Sequence, residues 1–129
     1  MENIIREKTH FTPRMSFNAD TGVFEMSGRS MPEVAMNIYK PVMEWLDEYI
    51  ANPQKETKII FKLIFFNTSS SKYIMEMLKK LESLHKKGYS VKAVWYCEDD
   101  DIFELAKDYQ MLVKIPMEIL QTEEQSELK

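Results

Sequence analysis

The chain has few of the residues that build disulfides, metal sites and nucleotide-binding loops. Its 129 residues include one cysteine, two histidines and three glycines. The single cysteine, Cys97, ends an apolar run, which predicts a small buried side chain in a reducing compartment. Because no glycine lies between Ile59 and Lys87, a glycine-rich phosphate loop is excluded there. There is also no HxxxH or CxxC pattern, so we expect no bound metal ion and no other cofactor.

The chain also lacks long apolar runs and a large excess of one charge. No stretch approaches the ~20 apolar residues that a membrane span needs. Arg6, Glu7 and Lys8 interrupt the region where a signal peptide would be apolar. The net charge is −4 with acidic and basic residues interspersed, which argues against a nucleic-acid partner. We therefore expect a cytoplasmic protein that binds neither membrane nor nucleic acid.

The N-terminal part of the chain is predicted to form a β-hairpin followed by an amphipathic helix. Two short strands flank a turn with Gly22 at a left-handed position. Ser30 followed by Glu33 matches a capping box, so we expect helix 1 to begin at Ser30. Pro41 removes one backbone hydrogen bond, which predicts a kink or a break within this helix.

The central part of the chain is predicted to form a β-α-β unit. The strand 59–66 is apolar on both faces except at Lys62, which is typical of a central strand covered on both sides. A helix over about residues 70–87 ends at Gly88 and leads to a second strand, 91–97. A right-handed crossover makes these two strands parallel.

The C-terminal part is predicted to add a third helix over 102–109 and a short strand over 112–115. We expect one domain, residues 1–120, followed by a polar tail, 121–129. The predicted fold class is therefore α/β: a single-domain mixed sheet with N-terminal antiparallel strands, a β-α-β unit and about three main helices.

Four consecutive hydroxyl residues lie where the first strand of the β-α-β unit leads into its helix. A strand-end loop of this kind is a usual ligand position in open α/β sheets, and free N–H donors at a helix N-terminus favour an anion. Two interpretations follow: the hydroxyls cap the helix, or one of them carries a phosphate. The candidate loop consists of Asn67, Thr68, Ser69, Ser70, Ser71 and Lys72.

An acidic cluster, Asp99 to Asp101, follows the second strand of the unit. Because parallel strands end at the same edge of a sheet, we expect these acids to lie near Thr68. Three interpretations stay open. In the first, Asp100 or Asp101 caps helix 3, and the negative charges interact favourably with the positive N-terminal end of its dipole. In the second, the cluster of Asp99, Asp100 and Asp101 holds Mg²⁺ for phosphoryl chemistry. In the third, the cluster sets a negative electrostatic potential that a phosphate on Thr68 would enlarge.

Three segments, in this order and spacing, resemble the SiaC family of bacterial regulatory phosphoproteins: GRSMPEVAMNIYKPVMEWLDEYI (28–50), FFNTSSSK (65–72) and VWYCEDDD (94–101). The resemblance implies a non-catalytic protein similar to STAS-like anti-sigma-factor antagonists. It implies that the threonine of the NTSS motif, Thr68 here, is phosphorylated by a Ser/Thr kinase and dephosphorylated by a metal-dependent phosphatase. It further implies that the unphosphorylated form activates a diguanylate cyclase and thereby promotes biofilm formation.

Hypotheses from different functional classes follow. The first is a non-catalytic regulatory phosphoprotein whose binding to a signalling partner is switched at Thr68. The alternative is a small Mg²⁺-dependent phosphoryl-transfer enzyme that uses the cluster Asp99 to Asp101. A third hypothesis is a constitutive binding domain in which the hydroxyls only cap a helix.

Helix 1 has a wider apolar face than one contact with a sheet requires. Met36, Tyr39 and Met43 extend this face beyond the ~100° stripe that is typical of a surface helix. Either the N-terminal hairpin or the segment 117–120 covers them, or they form a groove for an amphipathic helix of a partner.

Overall fold

Residues 1–122 of the computed structural model are described here, and they form one mixed sheet and three helices. The strands are β1 (Ile4–Arg6), β2 (Arg14–Asn18), β3 (Val23–Ser30), β4 (Glu56–Phe66), β5 (Ser90–Cys97) and β6 (Met117–Gln121). The helices are α1 (Ala35–Ala51), α2 (Thr68–Lys86) and α3 (Asp100–Leu112). None of these helices is long and apolar enough to cross a membrane.

The order of the strands in the sheet is the same as their order in the chain. The pairs β1–β2 and β2–β3 are antiparallel, whereas β3, β4, β5 and β6 are parallel to one another. Each parallel crossover contains one helix and moves one strand further along the sheet. Right-handed crossovers of this kind place all three helices on the same face. The predicted fold class, including the hairpin and the β-α-β unit, is therefore confirmed.

The burial of β4 shows that helices cover only one face of the sheet. Ile59 and Phe61 are buried, whereas Lys58 and Lys62 on the opposite face are exposed and Ile60 is half-buried. The prediction that this strand is covered on both sides is wrong. An apolar residue such as Ile60 can lie on a solvent-exposed sheet face without a helix packed over it, since folded proteins expose much apolar surface.

The β2–β3 hairpin depends on Gly22, which has a φ of 75°. This left-handed conformation costs a residue with a Cβ atom about 1–2 kcal/mol. A Cβ at this position would also overlap with the backbone oxygen of Glu56 at the start of β4. The predicted left-handed glycine is confirmed, and it allows the turn to pack against the beginning of the next strand.

The first helix differs from its prediction in where it begins. The N-cap of α1 is Val34, whose side chain makes no capping bond, and Ser30 belongs to β3 instead. The predicted start at Ser30 is wrong because the hydroxyl of Ser30 is used in buried contacts described below. Helix α1 also continues through Pro41, so the alternative of a break there is wrong. Helix α2 ends before Gly88, which has a φ of 96°, as predicted.

The C-terminal elements also differ from their prediction. Helix α3 continues to Leu112, and the last strand follows Pro116 rather than preceding it. Val113 and Ile115 are buried without being part of a strand, which explains why their apolar pattern was misread. Gln121 belongs to β6 and not to a tail. Residues 123–129 of the predicted tail lie outside the described residues.

Cys97 is fully buried at the end of β5. Burial raises the pKa of its thiol to about 11, and the nearby carboxylate of Asp99 acts in the same direction. The thiol is therefore protonated at neutral pH and behaves as a small core side chain, as the sequence predicts.

A buried carboxylate on α2 holds the segment that leads into β6. Glu82 accepts a hydrogen bond from the backbone N–H of Lys114, and the amines of Lys79 and Lys86 lie 3.6 and 3.7 Å from its Oε1. The N–H donor is the main cause that lowers the pKa of Glu82 below its ordinary value of 4.5, and the lysines add to it. A lowered pKa stabilises the fold above about pH 4.5, and the stabilisation is lost as the pH falls through the folded-state value.

We expect Glu82→Gln to lower the free energy of unfolding by about 1 kcal/mol at pH 7, because an ionised acceptor is replaced by a neutral one. The difference from the unchanged chain should shrink as the pH falls through the lowered pKa of Glu82, where the carboxylate itself becomes protonated. Urea unfolding at pH 7 and at the lowest pH at which the chain stays folded measures both effects. Glu76→Gln, an exposed position on the same helix, is the matched control. An equal loss at the two pH values would contradict the account.

Candidate functional site

The N-terminus of α2 is capped by Asn67. Its side-chain Oδ1 accepts the backbone N–H of Ser70 at 2.9 Å and the hydroxyl of Ser69 at 3.1 Å. The backbone N–H of Asn67 donates to the carbonyl oxygen of Ser30 at 3.0 Å, which ties the cap to the end of β3. The interpretation in which the hydroxyls cap the helix is therefore wrong, because the neighbouring amide side chain already does so.

The four hydroxyls that follow this cap differ in their contacts. Ser70 is fully buried and donates to the carbonyl oxygen of Ser30, and Ser71 donates to the carbonyl oxygen of Thr68 at 2.8 Å. Ser69 is exposed but donates to Asn67. Within residues 1–122, Thr68 alone among the four is exposed with a hydroxyl that makes no hydrogen bond. Of the four hydroxyls in this loop, it is the one that is accessible from solvent and not already engaged within the described residues.

Two backbone donors next to this hydroxyl are also unused. The N–H groups of Thr68 and Ser69 have no acceptor within the described part of the chain, as is usual in the first turn of a helix. An anion attached to the Thr68 side chain would meet these donors and the positive end of the helix dipole. Lys72 is exposed one turn further along α2, on the same side as Thr68.

A chain of buried hydroxyl groups lies beneath this turn. Ser30 Oγ lies 2.6 Å from Tyr39 Oη and 2.8 Å from Ser70 Oγ, and all three residues are fully buried. Burial raises the pKa of Tyr39, so its hydroxyl stays neutral and keeps its proton for this network. The three hydroxyls connect β3, α1 and α2, and thereby fix the first turn of α2 to the core.

This network was missed in the sequence, although one signal for it exists. Phe24 and Met26 are buried on β3, and the period of two for strands places Ser30 on the same face. Because Ser30 was interpreted as a helix cap, it was not counted in the pattern in which every second residue of β3 is buried. A fully buried serine at the end of a strand needs a polar partner, and Tyr39 and Ser70 are those partners.

The predicted partner surface on helix 1 is mostly wrong. Tyr39 is fully buried and Met43 is 7% exposed, because α1 packs against both the sheet and α2. Tyr39 also stacks on Tyr73 of α2, with ring centroids 5.0 Å apart. Met36 is 53% exposed, so it is the one residue of the predicted surface that remains available to a partner.

The acidic residues of the β5–α3 loop have local structural roles. Asp99 is the N-cap of α3 and accepts the N–H of Ile102 at 2.9 Å, so the predicted cap at Asp100 or Asp101 is wrong by one or two positions. Asp100 instead accepts the side-chain amide of Gln121 at 3.0 Å, and Asp101 lies exposed in the first helical turn. Within residues 1–122, no group of three or more His, Cys, Asp and Glu side chains is placed to hold a metal ion.

The β4–α2 loop and the β5–α3 loop lie at the same edge of the sheet, as predicted. However, β4 extends further towards this edge than β5 does. The last pair between β4 and β5 is Phe61 with Trp95, and β4 continues to Phe66. No hydrogen bond in the described part of the chain joins residues 67–71 to residues 98–101. The predicted proximity of the acids to Thr68 is therefore not supported by any direct contact.

The contact between α3 and the candidate loop is made by Tyr109. Its hydroxyl donates to the carbonyl oxygen of Ser71 at 2.9 Å, and its ring stacks on Trp95 at 5.6 Å. Burial raises the pKa of Tyr109 to about 12, which keeps the hydroxyl protonated as a donor. The first turn of α2 is thus held from two sides, at Ser70 by β3 and at Ser71 by α3.

We expect Tyr39→Phe to lower the free energy of unfolding by about 1–2 kcal/mol, because it removes one buried hydrogen bond and leaves Ser30 with fewer partners. Urea unfolding followed by far-UV circular dichroism measures the loss. Tyr89→Phe is the control, because Tyr89 is exposed and its hydroxyl makes no hydrogen bond within residues 1–122. Equal stability of the two variants would show that the buried network contributes nothing.

Fold and site together define a small α/β domain in which the first turn of α2, held by buried hydrogen bonds, carries the exposed hydroxyl of Thr68. A model of the SiaC family of regulatory phosphoproteins matches residues 6–122, and the chain belongs to this family. The predicted regulatory phosphoprotein is thereby confirmed, and the chain is not the Mg²⁺-dependent enzyme of the alternative hypothesis.

The chain is similar to proteins of Pseudomonas aeruginosa. It is 28% identical over 113 residues to an uncharacterized protein of strain UCBPP-PA14, covering 86% of this chain and 90% of the relative. The crystal structure of apo-SiaC superposes with a TM-score of 0.86 at 28% identity, covering 93% of this chain and 99% of that chain. A third match is SiaC in complex with the diguanylate cyclase SiaD, which it activates, with a TM-score of 0.86 at 27% identity and coverage of 95% and 100%.

Proposed function

We propose that this chain is a cytoplasmic activator of a diguanylate cyclase and that phosphorylation of Thr68 switches the interaction off. The observation that carries the assignment of Thr68 is the free, exposed hydroxyl at the start of α2, next to three hydroxyls that are already hydrogen-bonded. The proposed partner is a diguanylate cyclase, because the similar SiaC of Pseudomonas aeruginosa is an activator of the diguanylate cyclase SiaD.

The direction of the switch follows from charge and solvation. A phosphate adds about −1.5 to −2 charges at neutral pH. In the free chain the charge stays hydrated and meets the unused N–H groups of Thr68 and Ser69, so the fold tolerates it. A partner that covers Thr68 would have to remove water from the phosphate, which costs several kcal/mol unless the charge is paired. The unphosphorylated form is therefore the one that binds.

The proposed switch requires two enzymes besides the cyclase, a Ser/Thr kinase and a metal-dependent phosphatase. Both must approach Thr68 from the exposed side of α2, where Ser69 and Lys72 are also exposed. The acids Asp99 to Asp101 lie at the same edge of the sheet, so they contribute to the electrostatic potential that these enzymes meet. Their proposed role is electrostatic.

The assignment of Thr68 is tested by mapping the phosphate after incubation with the kinase from the source organism. We expect intact mass to show one phosphate and peptide mapping to place it on Thr68. Thr68→Ala should remove the modification, whereas Ser69→Ala, an equally exposed neighbour, should keep it. A phosphate that appears only on Ser69 or Ser71 would contradict the assignment.

A further inference from the structure

We infer that the pocket between the β1–β2 loop and the C-terminal halves of β3 and β4 is an anion site that binds a phosphate group. Its volume of about 360 Å³ lies near the lower end of the range for small-molecule sites, roughly 300–1,000 Å³. Three segments of the chain supply the lining residues: Lys8, Thr9, His10, Gly28, Arg29 and Ile64. Such a site gives the chain a small-molecule ligand in addition to its proposed protein partners.

The lining of this pocket is positively charged, although the chain as a whole carries a net charge of −4. Lys8 and Arg29 are cationic at neutral pH, and the ring of His10 supplies at least one further N–H donor. No aspartate or glutamate is among the lining residues. Within residues 1–122, neither Lys8 nor Arg29 forms a salt bridge. A cleft lined by charges of one sign attracts ligands of the opposite sign.

The carboxylates on the surrounding elements do not neutralise this pocket. Glu7 Oε1 lies 3.6 Å from Arg14 Nε, and Glu25 Oε2 on β3 lies 3.6 Å from Lys62 Nζ, so both acids have their own cationic partners. Glu98, which follows β5, lines a separate groove. The positive charge of the pocket therefore remains available to an anion from solution.

Backbone hydrogen bonds hold the β1–β2 loop in a fixed shape. The N–H of Thr9 donates to the carbonyl oxygen of Thr12 at 3.0 Å, and Thr9 Oγ1 accepts the N–H groups of Phe11 and Thr12 at 3.2 and 2.9 Å. The N–H of Met31 donates to the carbonyl oxygen of Phe11 at 2.7 Å, which ties the loop to the end of β3. Because the loop is already ordered, little conformational freedom is lost when a ligand binds.

A β-bulge shapes the opposite wall of the pocket. The register between β3 and β4 shifts between Gly28 and Arg29, so β4 carries one extra residue, Ile64, at this step. Bulges of this kind change the direction of side chains and are common beside functional sites. Gly28 has a φ of 95°, and the stem of Lys8 passes 3.7 Å from the place that a Cβ would take there. The half-buried Ile64 adds an apolar contact for the body of an organic ligand.

The donors of the pocket favour a phosphate over a carboxylate. A guanidinium binds a phosphate through two parallel hydrogen bonds, while an ammonium group contributes a compact point charge. A phosphate dianion has enough oxygens and enough charge to contact Arg29 and Lys8 together, whereas a carboxylate offers two oxygens and one charge. The same phosphate chemistry is present in free phosphate and in a phosphate monoester.

Titration of the full, ¹⁵N-labelled chain by NMR tests the site, with inorganic phosphate and phenyl phosphate as probes at constant ionic strength. We expect both probes to shift the amide signals of Gly28 and Arg29 in a saturable manner, with a Kd of about 1 mM for inorganic phosphate. Phenyl phosphate binding at least about threefold more tightly would identify a monoester as the ligand, because its ring gains the contact with Ile64. Equal affinity would identify free phosphate.

Three variants decide whether the pocket itself binds the probes. Arg29→Gln and Lys8→Gln should each weaken binding by about tenfold, because each removes a charged donor. Lys58→Gln is the matched control, since Lys58 is an exposed lysine on the same sheet face at the opposite end of β4, and its affinity should be unchanged. The site is wrong if sodium chloride at the same ionic strength reproduces the shifts, if no shift saturates, or if Arg29→Gln and Lys8→Gln bind phosphate as tightly as Lys58→Gln.

Discussion

Replacing Trp95 with alanine should lower the free energy of unfolding by about 3–5 kcal/mol. Trp95 is fully buried on β5, and its ring lies 4.3 Å from that of Phe61 and 5.6 Å from that of Tyr109. Its indole Nε1 has no hydrogen-bond partner within residues 1–122, so the loss comes from packing alone. Because Tyr109 also holds Ser71, the cavity would weaken the support of the candidate loop.

Urea unfolding measures this effect, and Phe65→Ala is its control. Phe65 is also an aromatic residue of the sheet, but it is 47% exposed. Its replacement should cost less than about 1 kcal/mol, because little buried area is lost. A loss below about 1 kcal/mol for Trp95→Ala would show that this aromatic cluster does not hold α3 against the sheet.

Thr68→Glu should weaken binding to the cyclase by about 100-fold, which corresponds to about 2.7 kcal/mol. A carboxylate at this exposed position would have to lose its water when the partner covers it. Thr68→Val should bind within about threefold of the unchanged chain, because the hydroxyl makes no hydrogen bond in the described part of the molecule.

Thr21→Glu is the control for added charge. Thr21 is an exposed threonine in the β2–β3 turn. This turn lies at the N-terminal ends of the parallel strands, whereas the N-terminus of α2 lies at their C-terminal ends. It should leave the affinity unchanged, as measured by calorimetry with the purified cyclase. If Thr21→Glu weakens binding as much as Thr68→Glu, long-range repulsion rather than contact at Thr68 controls the interaction.

The parts of the fold that could be predicted from the sequence depend on short-range patterns. The β2–β3 turn was predictable because Gly22 is needed for a left-handed conformation. Helix α2 and its end at Gly88 were predictable from the spacing of apolar residues and a terminating glycine. The loop of four hydroxyls could be named as a candidate because four adjacent hydroxyls exceed what one cap requires. Thr68 was singled out among them only by the resemblance to the SiaC family.

The remaining features depend on contacts between distant parts of the chain. Residue Ser30 is 40 positions away from Ser70, and only the fold brings their hydroxyls together. Likewise, the burial of Tyr39 and Met43 depends on the packing of α1 against the sheet on one side and against its neighbour α2 on another. Local patterns cannot distinguish a wide helix face that is covered by a second helix from one that binds a partner.

The central claim is that a phosphate on Thr68 prevents binding to the cyclase, and it is tested by comparing two forms of the same chain. The chain is phosphorylated to completion, mapped to Thr68, and titrated into the purified cyclase beside the unphosphorylated form. The account predicts nanomolar to micromolar binding for the unphosphorylated form, at least 100-fold weaker binding for the phosphorylated form, and recovery after treatment with a phosphatase. Equal affinity of the two forms would contradict it.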